Sequence, residues 1–320
     1  MIEYRAFRNT DPPALCEIWR HQAPPRAYYQ QLTPAVLENV VLSAPLFDRH
    51  GLVVADEDGK PVGFAHAGFA RNQDGSGQDK SIGATSMLMV SVSDSRRQAV
   101  WRALLERSEQ YLVDRGAREL HAGGSLDLAP FYLGLHDGAA APGVLASDRD
   151  MLDSFTEAGY VETGRTSVLQ RSLTSFRPIV DRQQMRLKRS MRLECRPDPP
   201  VANWWEACTV GLTNRFAFTA TRCEDDTTIA TAVFWDMEPL ASSWGIHARG
   251  LTQLQMEITE DREAVAIFLI GNALRQMAAE GITLVKAHVN VGHAPLQPVF
   301  SRLGFEEVEQ TIELVRSAKE

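Results

Sequence analysis

The chain has few cysteines and no apolar segment long enough to cross a bilayer. Its four cysteines lie far apart, without the CxxC spacing of a zinc cluster or the density of a disulfide framework. Such cysteine usage predicts a reducing compartment. Residues Met1 to Thr10 carry charges where a signal peptide needs an apolar run. We therefore expect a cytoplasmic protein with no membrane partner and no bound metal.

Positive charge is also scarce, because 33 Lys and Arg face 41 Asp and Glu, giving a net charge of −8. Nucleic acids and anionic membranes require a positive field, so no nucleic-acid partner is expected. A Ser-His-Asp order, a metal-ligand spacing and a Walker loop are all missing, which leaves hydrolase, metalloenzyme and nucleotide-triphosphatase readings without support. The hydrophobic content of 44% is that of a globular protein, and 320 residues favour two domains.

Two stretches of the chain align with each other without a gap, one starting at Ser93 and the other at Ile258. The matched pairs are Ala99 with Ala264, Val100 with Val265, Leu104 with Leu269, Leu105 with Ile270, Gly116 with Gly281 and Leu120 with Val285. After a shift of register, Phe155, Gly159 and Tyr160 match Phe300, Gly304 and Phe305. The first copy thus carries about twenty extra residues, within Leu126 to Gly143, which we expect to form a surface loop. The repeat predicts two related domains.

Both copies predict a hairpin, a strand, a polar loop, a long helix, a strand, a helix and a final strand. The long helices are expected over Gln98–Arg115 and Glu263–Ala279. These patterns predict an α/β protein with two mixed sheets flanked by helices, in domains 1–172 and 192–320. The intervening segment 173–191 is rich in arginine. It is typical of a solvated basic linker, and contact with a phosphate or a partner is the alternative.

This order of elements resembles a tandem of the GNAT family, the acyl-CoA-dependent N-acyltransferases. The resemblance is carried by Met87–Leu105 with Ala158-Gly159-Tyr160, and by Leu254–Ile270 with Leu303-Gly304-Phe305. It implies that acetyl-CoA donates an acetyl group to an amine of a small molecule or peptide. It also implies that the polar loop and the start of the long helix bind coenzyme A. The implied cofactor-binding residues are Ser91, Ser93, Arg96, Arg97, Gln98, Ala99 and Val100 in the first copy, and Met256, Ile258, Arg262, Glu263, Ala264, Val265 and Ala266 in the second.

The loops of both copies depart from the family pattern Gln/Arg-x-x-Gly-x-Gly/Ala. The glycine positions hold Ala99 and Trp101 in the first copy, and Ala264 and Ala266 in the second. Glycine lets backbone amides approach a phosphate closely, and alanine adds only a methyl group. Trp101 would obstruct the loop unless its side chain turned away. Steric considerations therefore favour the second copy.

Charge favours the opposite copy. Arg96 and Arg97 would attract a pyrophosphate, whereas Asp261 and Glu263 flank the arginine of the second loop and would repel it. The sequence leaves open which copy binds coenzyme A.

The general acid is a second departure from the family. Phe155 and Phe300 stand where many members carry a tyrosine, and phenylalanine has no proton to give. The catalytic candidates are Glu257, in the strand that would face the acyl group, and His293, which titrates nearest neutral pH. A solvated carboxylate and a surface or capping histidine are the alternatives. A competing hypothesis is a scaffold or regulatory module that has lost catalysis, and the oligomeric state is not predicted.

Overall fold

The computed structural model describes residues 1–22, 32–133, 142–211, 213–237, 245–257, 261–292 and 296–318. The chain forms two compact units, which we call unit 1 and unit 2. Unit 1 comprises Met1–Thr166, Ala202–Thr209 and Gln310–Glu320, and unit 2 comprises Ser167–Val201 and Val210–Glu309. Neither unit is continuous in sequence. The boundaries at 172 and 192 describe the sequence repeat and stay a prediction.

The secondary structure alternates between strands and helices. The strands are β1 (Ile2–Ala6), β2 (Leu52–Glu57), β3 (Lys60–Arg71), β4 (Gln78–Val90), β5 (Glu119–Ala122), β6 (Val144–Leu145), β7 (Val161–Ser172), β8 (Met191–Pro197), β9 (Arg215–Arg222), β10 (Thr228–Asp236), β11 (Ala248–Met256), β12 (Leu284–Asn290) and β13 (Glu306–Ser317). The helices are α1 (Pro12–Arg20), α2 (Pro34–Leu37) with a π-helical turn (Glu38–Leu42), α3 (Asp94–Val113), α4 (Arg149–Glu157), α5 (Arg182–Ser190), α6 (Trp204–Thr209), α7 (Arg262–Ala279) and α8 (Gln297–Arg302). Among the described residues, no helix is long and apolar enough to cross a membrane.

The sheets of the two units have the same order. In unit 1 the order is β1-β2-β3-β4-β5 followed by residues 310–317 of β13, and in unit 2 it is residues 167–172 of β7 followed by β12-β11-β10-β9-β8. Each sheet contains one parallel pair, β4 with β5 and β11 with β12. The sheet of unit 1 thus ends on β13, the last strand of the second sequence copy. The sheet of unit 2 ends on β7, the last strand of the first copy. The predicted α/β class with mixed sheets flanked by helices is confirmed.

Local sequence explains the entry into unit 1. Pro12 opens α1, where a missing backbone N–H costs nothing, and the apolar face of the helix is buried. At the β2–β3 turn, Asp58 and Gly59 both have positive φ, which is the backbone that a tight hairpin requires. The carboxylate of Asp56 accepts a hydrogen bond of 2.7 Å from the Gly59 amide, which fixes this turn.

The long helix of unit 1 begins earlier than its sequence predicts. It starts at Asp94 rather than at Gln98, so most of the expected phosphate loop is helical. The reason is that Ser95 to Gln98 contain no glycine or proline that would interrupt a helix, and Asp94 suits the positive N-terminal end. In unit 2, α7 begins at Arg262, close to the prediction, and Ala264 to Ile270 are all buried.

Candidate functional site

In unit 2, the parallel strands β11 and β12 pair over a short distance and then separate. Ala248 to Gly250 pair with Leu284 to Lys286, and no further pair follows in the described part of these strands. Strand β11 continues to Met256 and β12 to Asn290. Among the described residues, the backbone N–H and C=O groups of Leu251–Met256 therefore have no strand partner on the edge that faces β12. We call the space between the diverging strands the β11–β12 cleft.

The β11 side of this cleft is accessible to a ligand. Gln253, Gln255 and Glu257 are exposed, while Leu254 and Met256 are half-buried and pack against the core of unit 2. The strand thus presents polar side chains on one face and its unpaired backbone along one edge.

A β-bulge lies at the start of the cleft. The register between β10 and β11 shifts between Val233 and Phe234, which leaves Thr252 as the extra residue. The Thr252 hydroxyl donates a hydrogen bond of 3.1 Å to the Val233 carbonyl, a group that the interrupted ladder would otherwise leave unpaired. The bulge in β4 of unit 1 is bridged in the same way, because the hydroxyl of its extra residue, Ser86, donates a hydrogen bond of 2.9 Å to the His66 carbonyl.

A buried donor lies where the cleft begins. The Trp235 side chain packs on Gly250, and a Cβ added there would lie 2.5 Å from the indole Nε1. Trp235 is buried, and its Nε1 has no hydrogen-bond partner among the residues described. A glycine is therefore required beside this indole, whose buried N–H has no partner in the described chain.

The N-terminus of α7 follows the end of β11, after residues 258–260. Asp261 accepts hydrogen bonds from Gln183 at 3.1 Å and from Arg186 at 2.7 Å. Glu263 forms an ion pair with Arg302 at 3.0 Å. The two acids that the sequence placed against a phosphate are thus paired with cations. Sequence reasoning missed the contacts of Asp261 because Gln183 and Arg186 lie in the predicted linker, and the Glu263 pair because Arg302 lies 39 residues away.

Unit 2 also places a histidine on the other arm of the cleft. His288 lies two residues beyond the last paired residue of β12, Lys286. Burial, together with the smaller effect of the charge of Lys286, lowers the pKa of His288 to about 3. The imidazole is therefore neutral at pH 7 and a weak base, which disfavours it as the group that deprotonates an amine.

The corresponding region of unit 1 is filled by its own side chains. Strands β4 and β5 pair at Ile82–Thr85 with Glu119–Ala122, and β4 then continues to Val90. Unlike the end of β11, residues 86–90 are all buried. The segment predicted as a surface loop supplies part of the filling, since Phe131 and Tyr132 are buried against the core of unit 1. The expectation of a surface position is wrong for residues 129–132, which are buried.

A buried histidine lies within this packed region. The His66 ring stacks on Phe131 with centroids 4.2 Å apart, and its Nδ1 lies 3.0 Å from the Tyr132 hydroxyl. Its Nε2 is buried and has no hydrogen-bond partner in the described chain. Burial lowers the pKa of His66 to about 3, against a smaller opposite effect of Asp48. Burial also raises the pKa of Tyr132 above its ordinary value. Both side chains are therefore neutral.

The phosphate-loop residues predicted in unit 1 are engaged with neighbouring side chains. Arg96 pairs with Glu57, Arg97 lies 3.5 Å from Asp150, and the Gln98 amide donates to Glu157 at 2.7 Å. Ser91, Ser93 and Ala99 are exposed, and Val100 is buried in the core. Trp101 points into the same core, with its ring 5.1 Å from that of Phe155, so it does not obstruct the loop.

The remaining predicted positions of unit 2 fall into three groups. Arg262 is exposed in the first turn of α7 and forms no ion pair within the described ranges. Ala264, Val265 and Ala266 are buried in the core, and Ile258 and His293 lie outside the described residues. Glu257 is exposed, and its backbone N–H donates to the Ile229 carbonyl at 2.9 Å.

Phe155 and Phe300, which stand where many family members carry a tyrosine, lie in the hydrophobic cores of unit 1 and unit 2. Phe155 contacts Tyr160, and Phe300 contacts Phe305, each edge to face and fully or almost fully buried. Neither ring can protonate a leaving group. Within the described ranges, no group of three or more His, Cys, Asp or Glu side chains is arranged to hold a metal.

No family model matches the sequence, and no curated protein matches it either. Solved structures do match. The GCN5-related glucosamine N-acetyltransferase region of a fungal multi-domain GH3 β-N-acetylglucosaminidase is 16% identical with a TM-score of 0.73, covering 99% of this chain and 38% of that protein. A tandem GNAT protein from the clavulanic acid biosynthesis pathway is 13% identical with a TM-score of 0.69, covering 100% and 99%.

A third similar structure holds an acyl-CoA. Saccharomyces cerevisiae N-myristoyltransferase with bound myristoyl-CoA is 10% identical with a TM-score of 0.55, covering 100% of this chain and 79% of that one. At such identities the likeness establishes the fold and no substrate. Each unit has a sheet of the same strand order, and in each the long helix connects the two strands of the parallel pair. The chain has the fold of the tandem GNAT acetyltransferases.

Proposed function

We propose that the chain is an acyl-CoA-dependent N-acyltransferase that transfers acetyl from acetyl-CoA to an amine of a small molecule or peptide, and that unit 2 carries the reaction. The observation that supports this most is the unpaired edge of β11 beyond Gly250, which leads to the N-terminus of α7. The four free cysteines favour a cytoplasmic location.

The described residues of unit 2 fit an acyl-CoA. The unpaired backbone of β11 can exchange hydrogen bonds with the amides of the pantetheine arm, as an added strand would. The amides at the start of α7 and the guanidinium of Arg262 favour phosphate groups, because Asp261 and Glu263 are already paired. The buried N–H of Trp235 lies beside Gly250, where the cleft begins, and can donate a hydrogen bond to an acceptor of the ligand.

Bound acetyl-CoA would supply the acyl group as an activated thioester. In the reaction a bond forms between the amine nitrogen and the acyl carbon, and the carbon–sulfur bond breaks. Glu257 is proposed to take the proton of the acceptor ammonium, since it is exposed at the end of β11. The thiolate takes its proton from water, because Phe300 has none to give. His293 stays a prediction as a second proton-transfer group.

For unit 1 we propose a structural role. The buried residues 86–90 and the packing of Phe131 and Tyr132 leave no equivalent edge for an acyl-CoA. Two repeated domains would then contain one active unit, with the other as a scaffold.

A matched pair of charge reversals tests the proposal. Arg97 and Arg262 occupy the same position of the sequence repeat, and each bears a side chain that reaches solvent. In the intact chain, Arg262→Glu is expected to weaken acetyl-CoA binding by about tenfold or more, because a phosphate contact becomes a repulsion. Arg97→Glu is expected to leave that affinity unchanged. Calorimetric titration with acetyl-CoA measures both.

Release of free CoA thiol in the presence of a panel of primary amines tests the chemistry. Amine-dependent release by the wild-type chain, retained in Arg97→Glu and reduced in Arg262→Glu, is the expected result. No heat with acetyl-CoA and no thiol release with any amine would refute the enzyme assignment. The reverse order of the two variants would assign the site to unit 1.

A further inference from the structure

One face of α5 lines an open groove of about 680 Å³ in unit 2. Arg182, Met185, Arg186 and Arg189 follow one another at the spacing that places side chains on the same side of a helix. Val180 precedes them and also lines the groove. Val180 and Met185 are 75% and 44% exposed, which is unusual for large apolar residues. The groove thus combines guanidinium groups with an apolar surface.

The acids near this groove are neutralised by other groups. Asp181 accepts the Gln184 backbone N–H as the cap of α5 and lies 3.4 Å from Arg302. Arg186 is paired with Asp261. Arg182 and Arg189 are exposed and form no ion pair in the part of the chain that is described. The groove therefore carries uncompensated positive charge, which suits an anion of at least two charges.

The groove adjoins the start of α7. Arg186, which lines the groove, pairs with Asp261 at 2.7 Å immediately before α7. On the buried face of α5, the Gln184 side-chain amide donates a hydrogen bond of 3.0 Å to the Ala264 carbonyl of α7. A phosphate chain bound at the α7 N-terminus would therefore end beside the groove.

We propose that the groove binds the 3′-phosphorylated adenosine end of coenzyme A. Arg182 and Arg189 contact the 3′-phosphate, and Val180 and Met185 pack against the adenine ring. The basic segment between the sequence copies thereby becomes part of the cofactor site of unit 2. This inference rests on the proposed function, because it needs an acyl-CoA at the start of α7.

The experiment compares coenzyme A with 3′-dephospho-coenzyme A, which differs from it by one phosphate. Wild-type chain is expected to bind coenzyme A about tenfold more tightly, through charge-assisted contacts to that phosphate. In the double variant Arg182→Ala/Arg189→Ala, both ligands are expected to bind with nearly equal affinity. These residues are exposed, so the substitutions leave the core intact.

Lys188→Ala provides a matched control, because Lys188 lies on the same helix, is exposed and does not line the groove. It is expected to keep the wild-type preference. Equal affinities for the two ligands in the wild-type chain, or a preference that survives in the double variant, would overturn the inference alone. No binding of either ligand would overturn the proposed function and this inference together. Loss of self-association in the double variant at unchanged affinities would overturn it by assigning the groove to a second copy.

Discussion

Lowering the pH from 7 to 5 is expected to weaken unit 1 through His66, and a His66→Phe variant isolates that effect. The folded unit holds the imidazole neutral until about pH 3, while the unfolded chain takes up a proton near pH 6.5. Below pH 6.5 the unfolded state therefore binds one more proton than the folded state. The contribution of His66 to the free energy of unfolding is complete above this pH, and it decreases as the pH falls.

The magnitude follows from the depressed pKa. One proton of difference costs about 1.4 kcal/mol per pH unit, so the free energy of unfolding falls by about 2 kcal/mol on going down to pH 5. His66→Phe removes this slope and retains the ring that stacks on Phe131. It also removes the hydrogen bond to Tyr132, at a cost of about 1 kcal/mol that does not depend on pH in this range.

Hydrogen exchange of peptides from β4 reports the opening of unit 1, and comparing the two proteins at each pH cancels the intrinsic exchange rate. The stability difference is expected to shift by about 2 kcal/mol in favour of the variant between the two pH values. Equal pH dependence would show that His66 is protonated in the folded unit. Water would then reach the region that we describe as filled, and unit 1 could hold an open cleft.

Two further substitutions probe the two units separately. Trp101→Ala is expected to destabilise unit 1 by about 3–5 kcal/mol in urea unfolding, because the buried indole packs on Phe155. The affinity for acetyl-CoA is expected to stay unchanged, and a weakened affinity would place Trp101 at the acetyl-CoA site. Thr252→Val is expected to loosen the β11 bulge by about 1 kcal/mol through loss of the bond to the Val233 carbonyl, and to reduce acetyl-CoA affinity in calorimetry. An unaltered affinity would show that the β11 bulge does not contribute to acetyl-CoA binding.

Much of the fold could be predicted because its signals are local. The start and end of α7 and the turn at Asp58-Gly59 depend on neighbours in sequence, and the repeat doubled each signal. The exchange of final strands could not be predicted in the same way. The last strand of each copy has an alternation of side chains that suits either sheet, so partner choice depends on tertiary packing.

The site was harder to predict for a similar reason. From the sequence alone, the charge of Asp261 is expected to repel a phosphate. The structure shows that Arg186, which is distant in sequence, pairs with it. Trp101 reads as an obstruction until its ring is found in the core. Phe131 and Tyr132 lie in a segment with loop composition, and their burial depends on a surface that only the folded unit provides.

The stoichiometry of acetyl-CoA binding to the intact chain shows whether one unit or both hold a cofactor cleft. We expect one acetyl-CoA per chain, because the cleft of unit 2 has an unpaired edge and that of unit 1 is filled. Two bound molecules per chain would show that unit 1 also holds a functional cleft. No binding would show that neither unit is an acyltransferase site.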